Sequence, residues 1–388
     1  MIAKDTRDLL VALDIGTSKV VAMVAELESD GQFNVIGIGQ TASKGLKKGV
    51  VVNIEATVQS IQRALEEAEV MADRRIAQVF TGIAGNHIHS FNSSGMVAIR
   101  DKEVTPADVD RVIETAKSIN IPTDQQILHI ITQEFIIDGQ EDVREPVGMS
   151  GLRLEVKVHI VTGAVSAAQN IVKCVRRCGL EVNDLVLQPI ASSYAVLTED
   201  EKELGVVLID IGGGTTDIAV FSQGAIRHTA IIPIAGDQIT NDIAMALRTP
   251  TIEAEDLKTH YGVAKQSMVD PTKSIEVPGV GDRESRTMSQ QSLAAVIEPR
   301  VEELFEARIP RGVSILTEID GTAEIIDSEE KAYWLGFLYA DGCISKNQNI
   351  IQIALKRADK THLEKFREFI GNTNNKITYS KNTKSYRF

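Results

Sequence analysis

Cysteine and aromatic residues are scarce in this chain: of its 388 residues, three are cysteines and 17 are aromatic. Cys174, Cys178 and Cys343 are too few and too widely spaced for a disulfide framework or a zinc site. No segment has the ~18 consecutive apolar residues that a membrane-spanning helix requires. The first ten residues include four charged side chains where a signal peptide would be apolar. These absences predict a cytoplasmic protein with reduced cysteines.

Charge is distributed unevenly along the chain. The formal net charge is −13, but residues 327–388 contain 11 basic and 7 acidic residues, a net charge of +4, and nine of the 17 aromatic side chains. The first 326 residues carry a net charge of −17 and are a poor candidate for binding nucleic acid by charge. Any contact with nucleic acid is therefore expected only through the C-terminal segment, which has the basic and aromatic mixture that suits it.

Two strand-turn-strand segments of the same design occur in the chain, at residues 9–27 and 206–221. Asp14-Ile15-Gly16 in the first matches Asp210-Ile211-Gly212 in the second, at an offset of 196 residues. In each, an apolar strand precedes the acidic residue, and hydroxyl residues and a second apolar strand follow it. A unit used twice at this distance predicts two related lobes within one globular body.

Helices and strands alternate between the two segments. Apolar spacing and capping residues predict helices at 53–72, from Thr105 to about Ile119, and at 166–178. Strands are predicted at 78–83, 127–136, 153–162 and 182–187. This alternation predicts an α/β or α+β body.

An Asp-Ile-Gly turn between two strands is suited to binding a nucleotide phosphate. Glycine lets backbone N–H groups approach phosphate oxygens closely, and Thr or Ser hydroxyls add donors. The carboxylates of Asp14 and Asp210 would act through hydrated Mg²⁺, since direct contact with phosphate is repulsive. Each turn alone is also consistent with an ordinary hairpin, but the paired occurrence favours phosphate binding. P-loop and Rossmann motifs are absent from the sequence.

Three segments carry a resemblance to a known superfamily: LDIGTSKV at 13–20, the segment 187–221, and IPIAGDQITNDIA at 232–244. They resemble the phosphate and connecting motifs of the actin, sugar-kinase and heat-shock-chaperone ATPases. Over residues 1–299 the sequence is more closely similar to the FtsA family of bacterial cell-division proteins. The resemblance implies an α/β fold of two lobes, binding of ATP and Mg²⁺ with at most weak ATPase activity, FtsZ as a partner, self-association, and a place at the division septum.

The resemblance also implies roles for individual residues. Asp14 and Asp210 would be the catalytic residues and would hold Mg²⁺ through water, and Gly236 would lie at a helix N-terminus beside the phosphates. Glu255 and Lys258 would approach the nucleoside, or form an ordinary solvated ion pair. Gln133, after a strand, would position the attacking water, or be purely structural. The phosphate turns would consist of Gly16 and Thr17 in the first lobe and of Gly212, Gly213, Gly214 and Thr215 in the second.

The same resemblance predicts the domain boundaries. The first lobe would comprise 1–83 and 163–190, with an inserted subdomain for self-association at 84–162. The second lobe would span 191–299 and be incomplete. Its surface for FtsZ would lie near 245–300, where Arg283, Arg286 and Arg300 stand among acidic residues.

Beyond residue 299 the FtsA-like pattern is expected to stop, so the turn that holds adenine and the terminal amphipathic helix that binds membrane would be missing. Membrane binding is therefore not expected. Residues 299–325 resemble a stretch of the largest RNA polymerase subunit, which makes 300–326 a junction. Residues 326–388 resemble the start of a LAGLIDADG homing endonuclease, with its signature helix at 334–342 and Asp341 as a metal ligand.

Two alternatives to the FtsA-like function follow from this C-terminal segment. The chain would be a DNA-binding protein of the homing-endonuclease type, or a composite of fragments with no coherent activity. With only one signature helix, endonuclease activity is not expected.

Overall fold

The computed structural model describes residues 9–28, 33–281 and 283–306, together with six short strands between residues 317 and 387. The chain divides into two units, Met1–Phe305 and Glu306–Phe388, which are described separately.

The first unit begins with an antiparallel meander of three strands, β1 (Leu9–Ile15), β2 (Lys19–Leu27) and β3 (Phe33–Ala42). In β1 the alternate residues Val11, Leu13 and Ile15 are buried, as the period of two along a strand requires. Asp14 lies opposite Val21 across the β1–β2 hairpin. The predicted hairpin at 9–27 is confirmed.

Helix α1 (Ile54–Ala72) follows two short strands, β4 (Leu46–Lys47) and β5 (Val50–Val51). Its first turn is capped by Asn53, whose Oδ1 accepts a hydrogen bond from the Ala56 N–H at 3.1 Å. The helix packs so closely on β3 that a Cβ added to Gly39 would lie 1.9 Å from the carbonyl oxygen of Ala64. The helix matches the prediction for 53–72.

After β6 (Gln78–Ile83) the chain forms a second sheet, whose strand order is β7-β10-β8-β9 and whose neighbours are all antiparallel. Helix α2 packs on it and begins with a capping box between Thr105 and Asp108, as the sequence predicts. The elements of this sheet are β7 (His89–Ala98), α2 (Pro106–Lys117), β8 (Gln125–Ile137), β9 (Gln140–Val143) and β10 (Arg153–Ala164).

The chain then returns to the first sheet through α3 (Val165–Arg177) and β11 (Glu181–Leu187). The completed first sheet has the order β11-β6-β1-β2-β3, with β6 parallel to both β1 and β11. Its core includes Leu13, Ile61 and Ile83, each at most 1% exposed. This sheet and α1 and α3 form the first lobe.

The second lobe repeats the meander of the first. Two helices, α4 (Gln188–Val196) and α5 (Glu199–Leu204), lead to β12 (Val206–Ile211), β13 (Thr216–Ser222) and β14 (Ala225–Ile232). Asp210 lies opposite Asp217, the same register position as Asp14 opposite Val21. The predicted duplication therefore extends to strand order and register.

Helices α6, α7 and α8 enclose a further core with Ile243, Leu257 and Leu293. The last helix contains Pro299 and continues beyond the lobe boundary that the sequence predicts at that residue. The residues after Pro299 still belong to the second lobe, since Arg300 donates to Asp242 and Leu304 is buried. The elements are α6 (Gly236–Leu247), α7 (Thr251–Tyr261), a 3₁₀ turn at Gln266–Met268, β15 (Ser274–Val277), β16 (Arg286–Ser289) and α8 (Gln290–Glu306).

In the second unit, β17 (Thr317–Ile319) pairs with β18 (Thr322–Glu324). A separate sheet has the order β19-β20-β22-β21. Asp341 and the predicted signature helix up to residue 341 lie outside the described residues. No helix within the described ranges is long and apolar enough to cross a membrane. The four strands are β19 (Gly342–Ser345), β20 (Ile350–Lys356), β21 (Thr378–Ser380) and β22 (Ser385–Arg387).

Candidate functional site

The first candidate phosphate turn connects β1 and β2. The Gly16 N–H donates to the Lys19 carbonyl at 3.0 Å, which closes the turn. A Cβ on Gly16 would lie 2.9 Å from that same oxygen, so a side chain would disturb the turn. Thr17 Oγ1 accepts a hydrogen bond from the Gly49 N–H at 3.1 Å. The turn is thus held by its own backbone and by the segment before α1.

The second candidate turn connects β12 and β13 in the same way, with the Gly212 N–H donating to the Thr215 carbonyl at 2.9 Å. The two turns touch. A Cβ on Gly213 would lie 1.7 Å from Ser18 Oγ. A Cβ on Gly214 would lie 2.6 Å from Thr17 Oγ1. A side chain at either glycine would force Ser18 or Thr17 to move, so the predicted glycines are where one lobe meets the other.

Three carboxylates gather behind the two turns. Asp14 and Asp210 lie one residue before the ends of β1 and β12, and Asp217 lies opposite Asp210. Burial raises the pKa of Asp14 above its ordinary value. Burial, together with the charges of Asp210 and Asp14, raises the pKa of Asp217 to about 7. Asp217 Oδ1 is buried and has no hydrogen-bond partner among the described residues.

Helix α4 contacts both predicted carboxylates. Gln188 Nε2 donates to Asp14 Oδ1, and Ser192 Oγ donates to Asp210 Oδ2 at 2.7 Å. Neither residue was singled out from the sequence, although both lie in the segment 187–221 that carries the superfamily resemblance. For Gln188 the available signal was a polar side chain directly after a strand that ends in a buried residue, and at the first position of a helix.

Gly236 begins α6, as predicted, directly beside the second turn. Its N–H donates to the Gly212 carbonyl at 3.0 Å, and the Asp237 N–H donates to the Gly213 carbonyl at 2.8 Å. Lys258 Nζ donates to the Gly236 carbonyl at 3.2 Å and to Glu255 Oε2 at 2.7 Å. The predicted pair of Glu255 and Lys258 is therefore an ion pair that also holds the start of α6.

Gln133 lies elsewhere, and the structure corrects its predicted position. It is inside β8 rather than after a strand, and its Nε2 donates to the Ile226 carbonyl at 2.8 Å and to Asn92 Oδ1 at 3.2 Å. Its described hydrogen bonds do not reach either turn. Its contacts join the β7–β10 sheet to strand β14, which favours the structural alternative for this residue.

The same sheet supplies further donors to β14. Ser90 Oγ donates to the Thr229 carbonyl at 2.9 Å, and Asn92 Nδ2 donates to the Arg227 carbonyl at 3.2 Å. The buried His159 lies 3.0 Å from Thr229 Oγ1, and burial lowers its pKa to about 4. The imidazole is therefore neutral near pH 7, and the contact is a hydrogen bond between uncharged groups.

The carboxylates fit hydrated Mg²⁺ rather than a directly bound ion. Within the described ranges, no group of three His, Cys, Asp or Glu side chains is placed to hold a metal. Mg²⁺ keeps several waters and uses few protein ligands, so carboxylates that gather without forming a cage suit it. The unpartnered oxygen of buried Asp217 adds an acceptor for such a water.

Two lobes that each contribute a glycine turn, with carboxylates behind both turns, define an actin-like ATPase fold. A solved structure with this arrangement of elements is the PilM-PilN type IV pilus biogenesis complex, with a TM-score of 0.55 and 16% identity over 77% of this chain and 74% of that one. Two family models match the sequence: the SHS2 domain inserted in FtsA over residues 85–162, and cell division protein FtsA over residues 207–373.

Curated relatives agree with these models. Cell division protein FtsA of Pseudomonas aeruginosa is 59% identical over 334 residues, which cover 82% of this chain and 80% of that protein. FtsA of Escherichia coli K12 is 50% identical over 305 residues, which cover 79% of this chain and 73% of that protein. The chain belongs to the FtsA family of bacterial cell-division proteins.

The predicted resemblances of residues 299–325 to RNA polymerase and of 326–388 to LAGLIDADG endonucleases gain no support from these matches. The FtsA model continues to residue 373 and includes the whole of the first segment and most of the second.

Proposed function

We propose that this cell-division protein binds ATP with Mg²⁺ at its two glycine turns. The observation that carries the proposal is the convergence of Gly213 and Gly214 with Ser18 and Thr17, in front of carboxylates from both lobes. Backbone N–H groups in such turns donate hydrogen bonds to phosphate oxygens, and the absence of side chains lets the phosphates come close.

The chain's own residues have distinct tasks in this proposal. Asp14 and Asp210 hold the waters of Mg²⁺, which when bound neutralises the charge of the phosphates. Gly236 places the N-terminus of α6 beside the phosphates, where the helix dipole favours anions. The glutamine at this site is Gln188, which donates to Asp14, and not Gln133, to which the family resemblance assigned a role there. As the family resemblance implies, at most weak ATPase activity is expected.

FtsZ is the proposed partner, with the septum as the place of action. The surface predicted near 245–300 contains three large apolar side chains that are at least 75% exposed, Met245, Ile252 and Met268. Exposed apolar side chains of this size are candidates for the apolar contacts of a protein-binding surface. Self-association would use the inserted subdomain predicted at 84–162.

The nucleotide proposal is tested by isothermal titration calorimetry with MgATP. Asp14→Ala/Asp210→Ala should bind MgATP at least about tenfold more weakly than the unmodified chain, because charge-assisted contacts to the metal waters are lost. Asp101→Ala/Asp200→Ala is the matched control, since it removes the same charge from two exposed positions. Equal affinity of the Asp14/Asp210 variant and the unmodified chain would refute the proposal.

A further inference from the structure

Helix α4 connects the first lobe to the second and packs against strands of both, β11 on one side and β12 and β13 on the other. Gln188 and Ser192 are four residues apart in this helix, so their side chains lie on one face. That face is turned towards Asp14 and Asp210. The helix that links the lobes thus also links their two carboxylates.

Each of the two contacts holds one carboxylate oxygen. Gln188 is itself confined, because its Nε2 lies 3.3 Å from where a Cβ on Gly82 would be and its amide binds Asp14. On the other side, Ser192 Oγ donates to Asp210 Oδ2 at 2.7 Å. Within the described residues no other donor reaches the Asp210 carboxylate, so this hydroxyl alone orients it.

We propose that Ser192 is a positioning residue for Asp210, and that α4 sets how the two carboxylates are presented to hydrated Mg²⁺. The inference rests on the proposed nucleotide function. A hydroxyl that donates to one carboxylate oxygen fixes the plane of the group and leaves the other oxygen free for a metal-bound water. Without it the carboxylate rotates about its Cβ–Cγ bond, and the water that it should hold loses its acceptor.

The adjacent residue provides a matched comparison within the same helix turn. Ser193 is 2% exposed, and its Oγ donates to the Ile190 carbonyl at 2.7 Å, inside α4. It therefore has the same hydroxyl as Ser192 but only a structural contact. A serine-to-alanine change at each position separates an effect on Asp210 from an effect on the helix.

The experiment compares the full unmodified chain with Ser192→Ala, Ser192→Thr and Ser193→Ala. Calorimetric affinity for ATP is measured with excess MgCl₂ and again with EDTA, and the unfolding temperature is measured without nucleotide. Ser192→Ala should weaken MgATP binding about tenfold, the usual effect of one lost hydrogen bond to a charged group, and leave metal-free ATP binding unchanged. Ser192→Thr, which keeps the hydroxyl, should restore MgATP binding to within about threefold.

Ser193→Ala should lower the unfolding temperature without changing the ratio of the two affinities. The inference is overturned if Ser192→Ala binds MgATP as tightly as the unmodified chain, or if it loses affinity equally with and without Mg²⁺. These results would leave the proposed function standing. If the unmodified chain bound no MgATP, the proposed function and this inference would both be wrong.

Discussion

Asp217 has an environment that disfavours the charged form of its carboxyl group. It is 4% exposed, and one of its carboxylate oxygens has no partner among the described residues. Its position opposite Asp210 is occupied by Val21 in the first lobe, so the duplicated hairpin carries an additional acid only in the second. A buried acid without a partner reduces stability whenever it is charged.

This environment predicts a pH dependence of stability. The pKa of Asp217, raised to about 7 mainly by burial, exceeds the ordinary value of 3.8. The folded state therefore keeps a proton that the unfolded chain releases, and the free energy of unfolding falls as the pH rises between these two values. Asp217→Asn should remove the decrease and stabilise the chain at about pH 8 by on the order of 4 kcal/mol, and by less at about pH 5.5.

Chemical denaturation of both proteins at the two pH values measures the effect. Asp200→Asn, at an exposed position, should change the free energy of unfolding only slightly, and by the same amount at both pH values. A stabilisation by Asp217→Asn that did not grow with pH would contradict the prediction.

Single residues also separate what the sequence can predict about the site from what it cannot. The residues of the turns were predictable, because glycines and an acid after a buried strand are a local pattern. The contact of Gln188 with Asp14 joins residues 174 positions apart, and no local pattern encodes it. Gln133 illustrates the converse, since a glutamine near the end of an apolar run has the same local signature whether it reaches a phosphate or a neighbouring strand.

The contact between α1 and β3 depends on small residues in both elements. Gly37 and Gly39 face Ala64 and Ala68 so closely that a Cβ on Gly37 would lie 2.6 Å from the Ala68 carbonyl oxygen. Backbone atoms cannot move aside as a flexible side chain does. The spacing between helix and sheet is therefore set by these four residues.

Gly39→Ala should accordingly destabilise the chain by about 2 kcal/mol or more, as overpacking of a close contact does. The free energy of unfolding from denaturant titration measures this. Gln40→Ala, at the next and exposed position of β3, should change it by less than about 0.5 kcal/mol. If the Gly39→Ala variant were as stable as the unmodified chain, α1 would be able to move away from β3 without a loss of free energy of unfolding, and the prediction would be wrong.

Among the elements, those with strong local signals were predictable. Helices α1, α2 and α3 were predicted within two residues at each end, because their caps and apolar spacing are local. Strands β3 and β7 were not predicted. The sequence of β7, HSFNSSGMVA, has few apolar residues, and it forms a strand because ten successive residues pair with β10. Pairing of this kind overrides weak intrinsic preference.

At the scale of the whole protein, the proposed FtsZ surface can be tested by changing one side chain inside it and one equally exposed side chain outside it. Ile252 at the start of α7 and Val70 near the end of α1 are each 83% exposed, but only Ile252 lies in the segment 245–300. Ile252→Glu should weaken binding of purified FtsZ about tenfold, because it places a charge in an apolar contact. Val70→Glu should leave the affinity within about twofold.

Co-sedimentation with FtsZ polymers over a range of concentrations measures both affinities. Neither substitution should affect folding, since both side chains are largely in water. Equal affinities of the two variants would place the FtsZ surface outside the neighbourhood of Ile252.

The side chains that the β7–β10 sheet directs at β14 have a consequence for assembly. The edge of a sheet presents unpaired carbonyl and N–H groups, and another chain can add a strand there. Ser90, Asn92 and Gln133 already bind the carbonyls of Thr229, Arg227 and Ile226. An incoming strand would have to displace these three donors, so addition of a strand from another chain is disfavoured at β14.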